Sequence, residues 1–211
     1  MIKRLGLFGG MFDPVHNGHL DAARFAQGEL ALDALKLIPC ATPNHRESAR
    51  VAGKHRLQML RLATADEEGM EADDIELTRP GVSYSVDTLQ EYREQDIAQH
   101  IVFILGLDAF FSLPQWHNWQ QMFELCHLFI LGRAGHTIGP ETLSATQFEQ
   151  RRVSTAEELF ASSHGRIFLA DQFNYEASSS AVRKVLRMDE DVSSLLHPKV
   201  QLYIEDNRLY R

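Results

Sequence analysis

Leu5-Gly6-Leu7-Phe8-Gly9-Gly10-Met11-Phe12-Asp13-Pro14-Val15-His16-Asn17-Gly18-His19 runs from an apolar stretch through a glycine pair, a proline and two histidines. Leu5 to Phe8 has the length and character of a buried strand, and beyond the motif Leu20, Ala23, Ala26 and Leu30 recur at near-helical spacing. The histidines therefore fall at a strand-to-helix turn. There, glycines let the backbone approach a phosphate, and the first helical turn offers unpaired N–H groups at the positive end of its dipole. His16 and His19 are three residues apart, so both face one ligand if Asn17 to His19 open the helix. Taken alone, Gly9-Gly10 reads more readily as an ordinary turn, and a lone histidine at a helix start as a cap. The whole string reads as a nucleotide-phosphate site.

Working outward, apolar strand-like runs recur at Leu5 to Phe8, Leu35 to Ile38, Ile101 to Leu105, Leu128 to Leu131 and Ile167 to Leu169, mostly with helix-compatible stretches between them. That alternation predicts an α/β fold, a Rossmann-like doubly wound parallel sheet, in a single domain spanning 1–211. Ligands of such sheets bind at the carboxyl ends of the strands. Residues 134–160 are more polar and less regular and suggest a surface insertion with short helices, or a linker. Pro198 to Tyr210 reads as a helix with Val200, Tyr203 and Ile204 on one side.

Composition narrows the function classes. The chain has 211 residues, 44% hydrophobic and 24% charged, enough for a sizeable core. A formal net charge of −8 argues against general attraction to nucleic acid or anionic lipid, so a phosphate ligand calls for a local positive pocket. No apolar run of about 18 residues predicts a membrane span, and Lys3-Arg4 leads straight into a strand-like segment; a cytoplasmic location is expected. Cys40 and Cys126 lack a C-x-x-C partner and read as reduced, packed thiols. The sequence does not set an oligomeric state.

A second motif, Ala177-Ser178-Ser179-Ser180-Ala181-Val182-Arg183, precedes another helical segment. A serine cluster there is, on its own, most often a set of N-caps. With Arg183 one turn on, hydroxyls, helix N–H groups and a guanidinium can converge on one polyphosphate.

The first string resembles the GG-x-F-D-P-x-H-x-G-H signature of the nucleotidyltransferase superfamily, the H-x-G-H type, and the second its I-S-S-T-x-I-R motif. Over nearly the whole chain the resemblance is to bacterial nicotinate-nucleotide adenylyltransferases. Further segments carry it: Thr42-Pro43-Asn44-His45-Arg46; Glu76-Leu77 with Gly81-Val82-Ser83-Tyr84-Ser85-Val86-Asp87-Thr88-Leu89; Phe103 to Asp108 with Leu113 and Trp116; and Leu131-Gly132-Arg133-Ala134-Gly135. The departures are Met11 for a usual Thr or Ser, Asn44 at a common proline position, Ala177 and Val182 in the second motif, and a turn after Arg133 without its proline.

The resemblance implies adenylyl transfer from ATP to nicotinate mononucleotide, with magnesium accompanying ATP and no protein-held metal. It implies that His16, His19 and Arg183 are catalytic. ATP would lie against Gly9, Gly10, Met11, Phe12, Gly106, Asp108, Arg133, Ser179 and Ser180. The mononucleotide would lie against Asn44, His45, Arg46, Tyr84, Ser85, Trp116 and His117, with Trp116 and Tyr84 sandwiching the pyridine. Alternatives are another enzyme of the superfamily, acting on nicotinamide mononucleotide or phosphopantetheine, and a non-catalytic nucleotide-sensing module. A class I aminoacyl-tRNA synthetase is disfavoured by the absence of a K-M-S-K-S partner motif.

Overall fold

The computed structural model of the protein describes residues 3–43, 49–132, 139, 141, 147–171, 173 and 178–211. Strands β1 (Arg4–Gly10), β2 (Ala34–Pro39), β3 (Met70–Ala72), β4 (His100–Gly106), β5 (His127–Leu131), β6 (Arg152–Val153) and β7 (Ile167–Ala170) form one seven-stranded sheet. Its order is β3-β2-β1-β4-β5-β7-β6, and every pairing is parallel. The longer helices are α1 (Asn17–Leu30), α2 (Gly53–Thr64) and α4 (Ser85–Gln95), with α3 (Ile75–Thr78), α5 (Leu107–Ser112) and α6 (Met122–Leu125) as shorter pieces. Then come α7 (Phe148–Arg151), α8 (Ala156–Phe160), α9 (Ser179–Arg187) and α10 (Pro198–Asp206).

The doubly wound parallel sheet expected from the sequence is therefore present, and all five apolar runs are strands. The physical reason is visible in β4. Ile101, Phe103 and Leu105 enter one core with Val86, Leu89 and Phe110, while Val102 and Ile104 enter the other with Leu20, Ala26 and Ile204. Successive residues point to opposite faces, and both faces are covered by helices, so no polar position survives between Ile101 and Leu105. Leu20, Ala23, Ala26 and Leu30 are all buried, as their spacing predicted.

Two strands were not anticipated. β3 and β6 have three and two residues, too short to show any periodicity. Of the stretch 134–160, the described part contains short helices and this edge strand, and Phe148 is buried in the core. The helix expected from Pro198 to Tyr210 ends at Asp206, with Val200 and Ile204 buried.

β1 pairs with β2 on one side and β4 on the other, so chain direction across the sheet reverses between β1 and β4. A crevice opens above the carboxyl ends of strands at such a switch point. Gly9, Gly10 and Gly106 end these two central strands, and that is where the first motif lies.

Candidate active site

A cleft of about 680 Å³ stands over the switch point. It is bordered by Gly9, Gly10, Met11, Phe12, His16 and His19 from the first motif, by Gly106 and Asp108 after β4, and by Ser179 at the start of α9. Ser85, the first residue of α4, and Trp116 line its other part.

The first motif is held by its own side chains. Phe12 is buried and adopts a left-handed backbone, φ +47°. Its ring lies so close over Gly10 that a Cβ there would stand 3.0 Å from it, so a larger residue would have to push the ring aside. The same ring meets His19 edge-on, centroids 4.9 Å apart.

His16 is the N-cap of α1 and forms a reciprocal capping arrangement with His19 three residues on. The main-chain N–H of His16 donates to Nδ1 of His19 at 3.2 Å. Nδ1 is thus an acceptor, and a neutral His19 carries its proton on Nε2, available as a donor. The two rings lie 3.7 Å apart, tilted by 32°. Burial lowers the His16 pKa to about 4, and burial followed by the neighbouring His16 holds His19 well below the usual imidazole value. Both rings are neutral near pH 7, acting as directed donors and not as fixed charges.

The second motif docks onto the first. Ser178 is the N-cap of α9, its hydroxyl accepting from the Ala181 N–H. Ser179 Oγ donates to the Pro14 carbonyl at 3.0 Å, and Arg183 Nη1 donates to the Asp13 carbonyl at 2.6 Å. A second guanidinium nitrogen of Arg183 donates to Ser180 Oγ at 3.0 Å. Arg183 is thus anchored to the loop beside the cleft lining, with the rest of its donor fork uncommitted to these bonds. Val182 is completely buried, which explains an apolar residue inside this motif.

Gly106 caps α5, and Asp108 lies exposed in its first turn. Asp108 is therefore not the N-cap. Trp116 donates from Nε1 to Ser112 Oγ at 3.1 Å and stands edge-on to Phe103. Tyr84 lies outside the lining and its ring meets that of His117 at a tilt, centroids 4.3 Å apart and 31° from parallel. Asn44, His45, Arg46 and Arg133 lie outside the described residues.

Three residues that hold the cleft together carried no role in the sequence reading. Arg56, 1% exposed, donates to the carbonyls of Met11 (2.8 Å), Cys40 (2.7 Å) and Val51 (3.2 Å). It joins the loops after β1 and β2 beneath the cleft floor. Glu76 is buried on the cleft wall and accepts from Thr88 Oγ1 at 3.1 Å; burial raises its pKa against the opposing pull of that bond. Asp13, in the middle of the first motif, is 4% exposed. Among the described lining residues there is no lysine or arginine, so the donors facing the cleft are main-chain amides, imidazoles and hydroxyls.

Comparison with known proteins places this geometry. The Cytidylyltransferase-like family matches residues 7–185, which takes in both motifs. A "Probable nicotinate-nucleotide adenylyltransferase" of Marinomonas sp. is 36% identical over 213 residues, covering 100% of this chain and 96% of that protein. One of the same name from Methylococcus capsulatus is 37% identical, covering 98% and 99%. The chain belongs to the nicotinate-nucleotide adenylyltransferase family.

The fold of this family member agrees with that of a Plasmodium falciparum nicotinic acid mononucleotide adenylyltransferase complexed with NaAD, at a TM-score of 0.73 and 18% identity. That alignment covers 99% of this chain and 97% of the other. No helix among the described residues is long and apolar enough to cross a membrane. Nor, among them, do three or more His, Cys, Asp or Glu gather closely enough to hold a metal ion.

Proposed function

We propose that the protein transfers the adenylyl group of ATP to nicotinate mononucleotide, giving nicotinate adenine dinucleotide and pyrophosphate in NAD biosynthesis. One observation carries the reading. His16 and His19 are locked together at the N-terminus of α1 inside the switch-point cleft, with the N-terminus of α9 fastened to the same loop through Pro14 and Asp13. Two helix N-termini and two imidazoles directed at one space suit a polyphosphate.

The nucleophile is the mononucleotide's own phosphate, largely dianionic at neutral pH because its second pKa is about 6. No strong base is needed. The protein's work is to align this phosphate with the α-phosphorus and to meet the charge that develops as pyrophosphate leaves. His19 Nε2–H and the amides of Gly9, Gly10, Met11 and Phe12 serve the reacting end, with His16 beside them. Ser179, Ser180, Arg183 and Arg133 hold the departing phosphates. Gly106 and Asp108 meet the ribose.

The cleft's carboxylates fit a magnesium ion that arrives on the triphosphate. Glu76 is buried and bonded, and Asp108 is the other carboxylate among the described lining residues, so the ion would be held by ATP oxygens and water and would neutralise the polyphosphate.

The pyridine rests on Trp116, with Tyr84 and His117 as a tilted pair alongside. Asn44, His45 and Arg46 meet the mononucleotide's phosphate end. Ser85 places the first turn of α4 at the cleft, where unpaired N–H groups favour the acid's carboxylate over the amide's NH2. Thiols at Cys40 and Cys126 suit a reducing cytoplasm.

A pyrophosphate-release assay with ATP and each pyridine mononucleotide tests the proposal. Rapid release with the acid and slow release with the amide are expected. Faster release with the amide would replace the substrate, and ATP binding without release from either would make the protein a sensor.

A further inference from the structure

We propose that Tyr210 is a positioning residue for the triphosphate site, acting through Asp13. The inference rests on the adenylyl-transfer reading and adds to it a residue 197 positions away from the loop it supports.

Asp13 lies in the first motif, three residues before His16, yet it does not border the cleft. Its acceptors are taken by groups from three separate parts of the chain. Tyr210 donates its hydroxyl to Oδ1 at 2.7 Å, the Arg50 N–H donates to Oδ2 at 2.7 Å, and Arg183 donates to the main-chain oxygen at 2.6 Å. The next residue, Pro14, accepts from Ser179. Thus the Asp13-Pro14 dipeptide joins the histidine loop to α9, and the phenol of Tyr210 fixes the one carboxylate oxygen that the other two do not hold.

Tyr210 is itself held in a left-handed backbone conformation, φ +65°, just past α10. A non-glycine residue keeps such a conformation only where its surroundings require it. Here the requirement is to bring the ring back over the motif.

Without the hydroxyl, Oδ1 of a carboxylate only 4% exposed loses its donor, while the Arg183 guanidinium stands 4.0 Å from Oδ2. The carboxylate then turns toward that cation. Arg183 is drawn off the Asp13 carbonyl, and the loop carrying His16 shifts with it. The consequence falls on ATP, whose phosphates both segments hold, and not on the pyridine end of the cleft.

Steady-state kinetics of Tyr210→Phe beside Tyr203→Phe separates positioning from stability. Tyr203 also follows the α10 pattern and hydrogen-bonds His55 Nδ1 at 2.8 Å, away from the motif. Tyr210→Phe is expected to raise KM for ATP about tenfold and lower kcat, leaving KM for the mononucleotide unchanged. Tyr203→Phe should lower the melting temperature and keep KM for ATP. Combining Tyr210→Phe with Asp13→Asn should add no loss beyond Asp13→Asn alone.

Unchanged ATP kinetics in Tyr210→Phe, equal rises in both KM values, multiplicative losses in the double variant, or a chain too unstable to assay would each overturn the inference. Failure of the unaltered protein to release pyrophosphate would instead count against the proposed function. In that case calorimetry with a non-hydrolysable ATP analogue still decides the role of Tyr210, an unweakened affinity in Tyr210→Phe overturning it.

Discussion

The two histidines act as a pair because each fixes the other. His19 Nδ1 accepts from the His16 N–H, which leaves Nε2–H as the donor, and ring contact with Phe12 and His16 holds that donor's direction. Burial keeps both rings neutral, so in the proposed reaction they would act by hydrogen bonds aimed at developing charge. Replacing His19 with alanine should cut kcat by about 10²–10³-fold, the size seen when one such donor is lost. Turnover within twofold of the unaltered protein would remove His19 from the reaction. The identity of these residues was legible in the chain, since glycines, proline and histidines crowd between a strand and a helix. Their tautomer and neutrality were not, because both follow from burial and from one bond 3.2 Å long.

At the scale of elements, α9 matters through its first turn. Ser178 caps it, and Ser179 and Arg183 rivet that turn to the loop before α1. Ser178→Ala removes the cap, at a cost of about 1 kcal/mol, or about 2–4 °C in melting temperature for a chain of this size. Because the cap orients the turn proposed to hold the phosphates, KM for ATP should rise in the same variant; kinetics identical to the unaltered protein would show that the turn is held without it. The serine cluster was readable as caps or as a phosphate site, and the structure makes Ser178 the cap while both Ser178 and Ser179 border the cleft. β3 and β6 escaped notice because two or three residues carry no period. Arg56 escaped for a different reason. It follows Lys54 and His55 in a helix, as a surface arginine commonly does, and only folding brings three carbonyls to its guanidinium.

Across the whole molecule, imidazoles with lowered pKa at both ends of the central strands weaken the fold in acid, His19 and His100 among them. His127, at the start of β5, accepts at Nδ1 from the Arg166 N–H (3.3 Å), while Nε2 meets the Ser162 carbonyl (3.1 Å), and burial lowers its pKa to about 3. His16 is lowered to about 4 at the other end. Between these values and the ordinary 6.5 the unfolded chain binds protons that the folded chain refuses, so stability falls as pH falls. Each group contributes a slope of about 1.4 kcal/mol per pH unit well inside its window. Urea unfolding at pH 7, 6 and 5 should show a falling free energy, and a flat profile would mean that these rings protonate freely in the folded state. The sequence by itself determined the parallel α/β class, the carboxyl-end location of the motif and the family, because near-continuous apolar runs and a spaced motif are local patterns that survive in one dimension. The tertiary structure alone decided which groups line the cleft and which fasten its loops: Tyr210 on Asp13, Arg183 on the same residue's carbonyl, and Arg56 on the loops after β1 and β2. Those choices are made by hydrogen-bonding geometry between segments up to 197 residues apart, a distance at which chain order holds no information about direction.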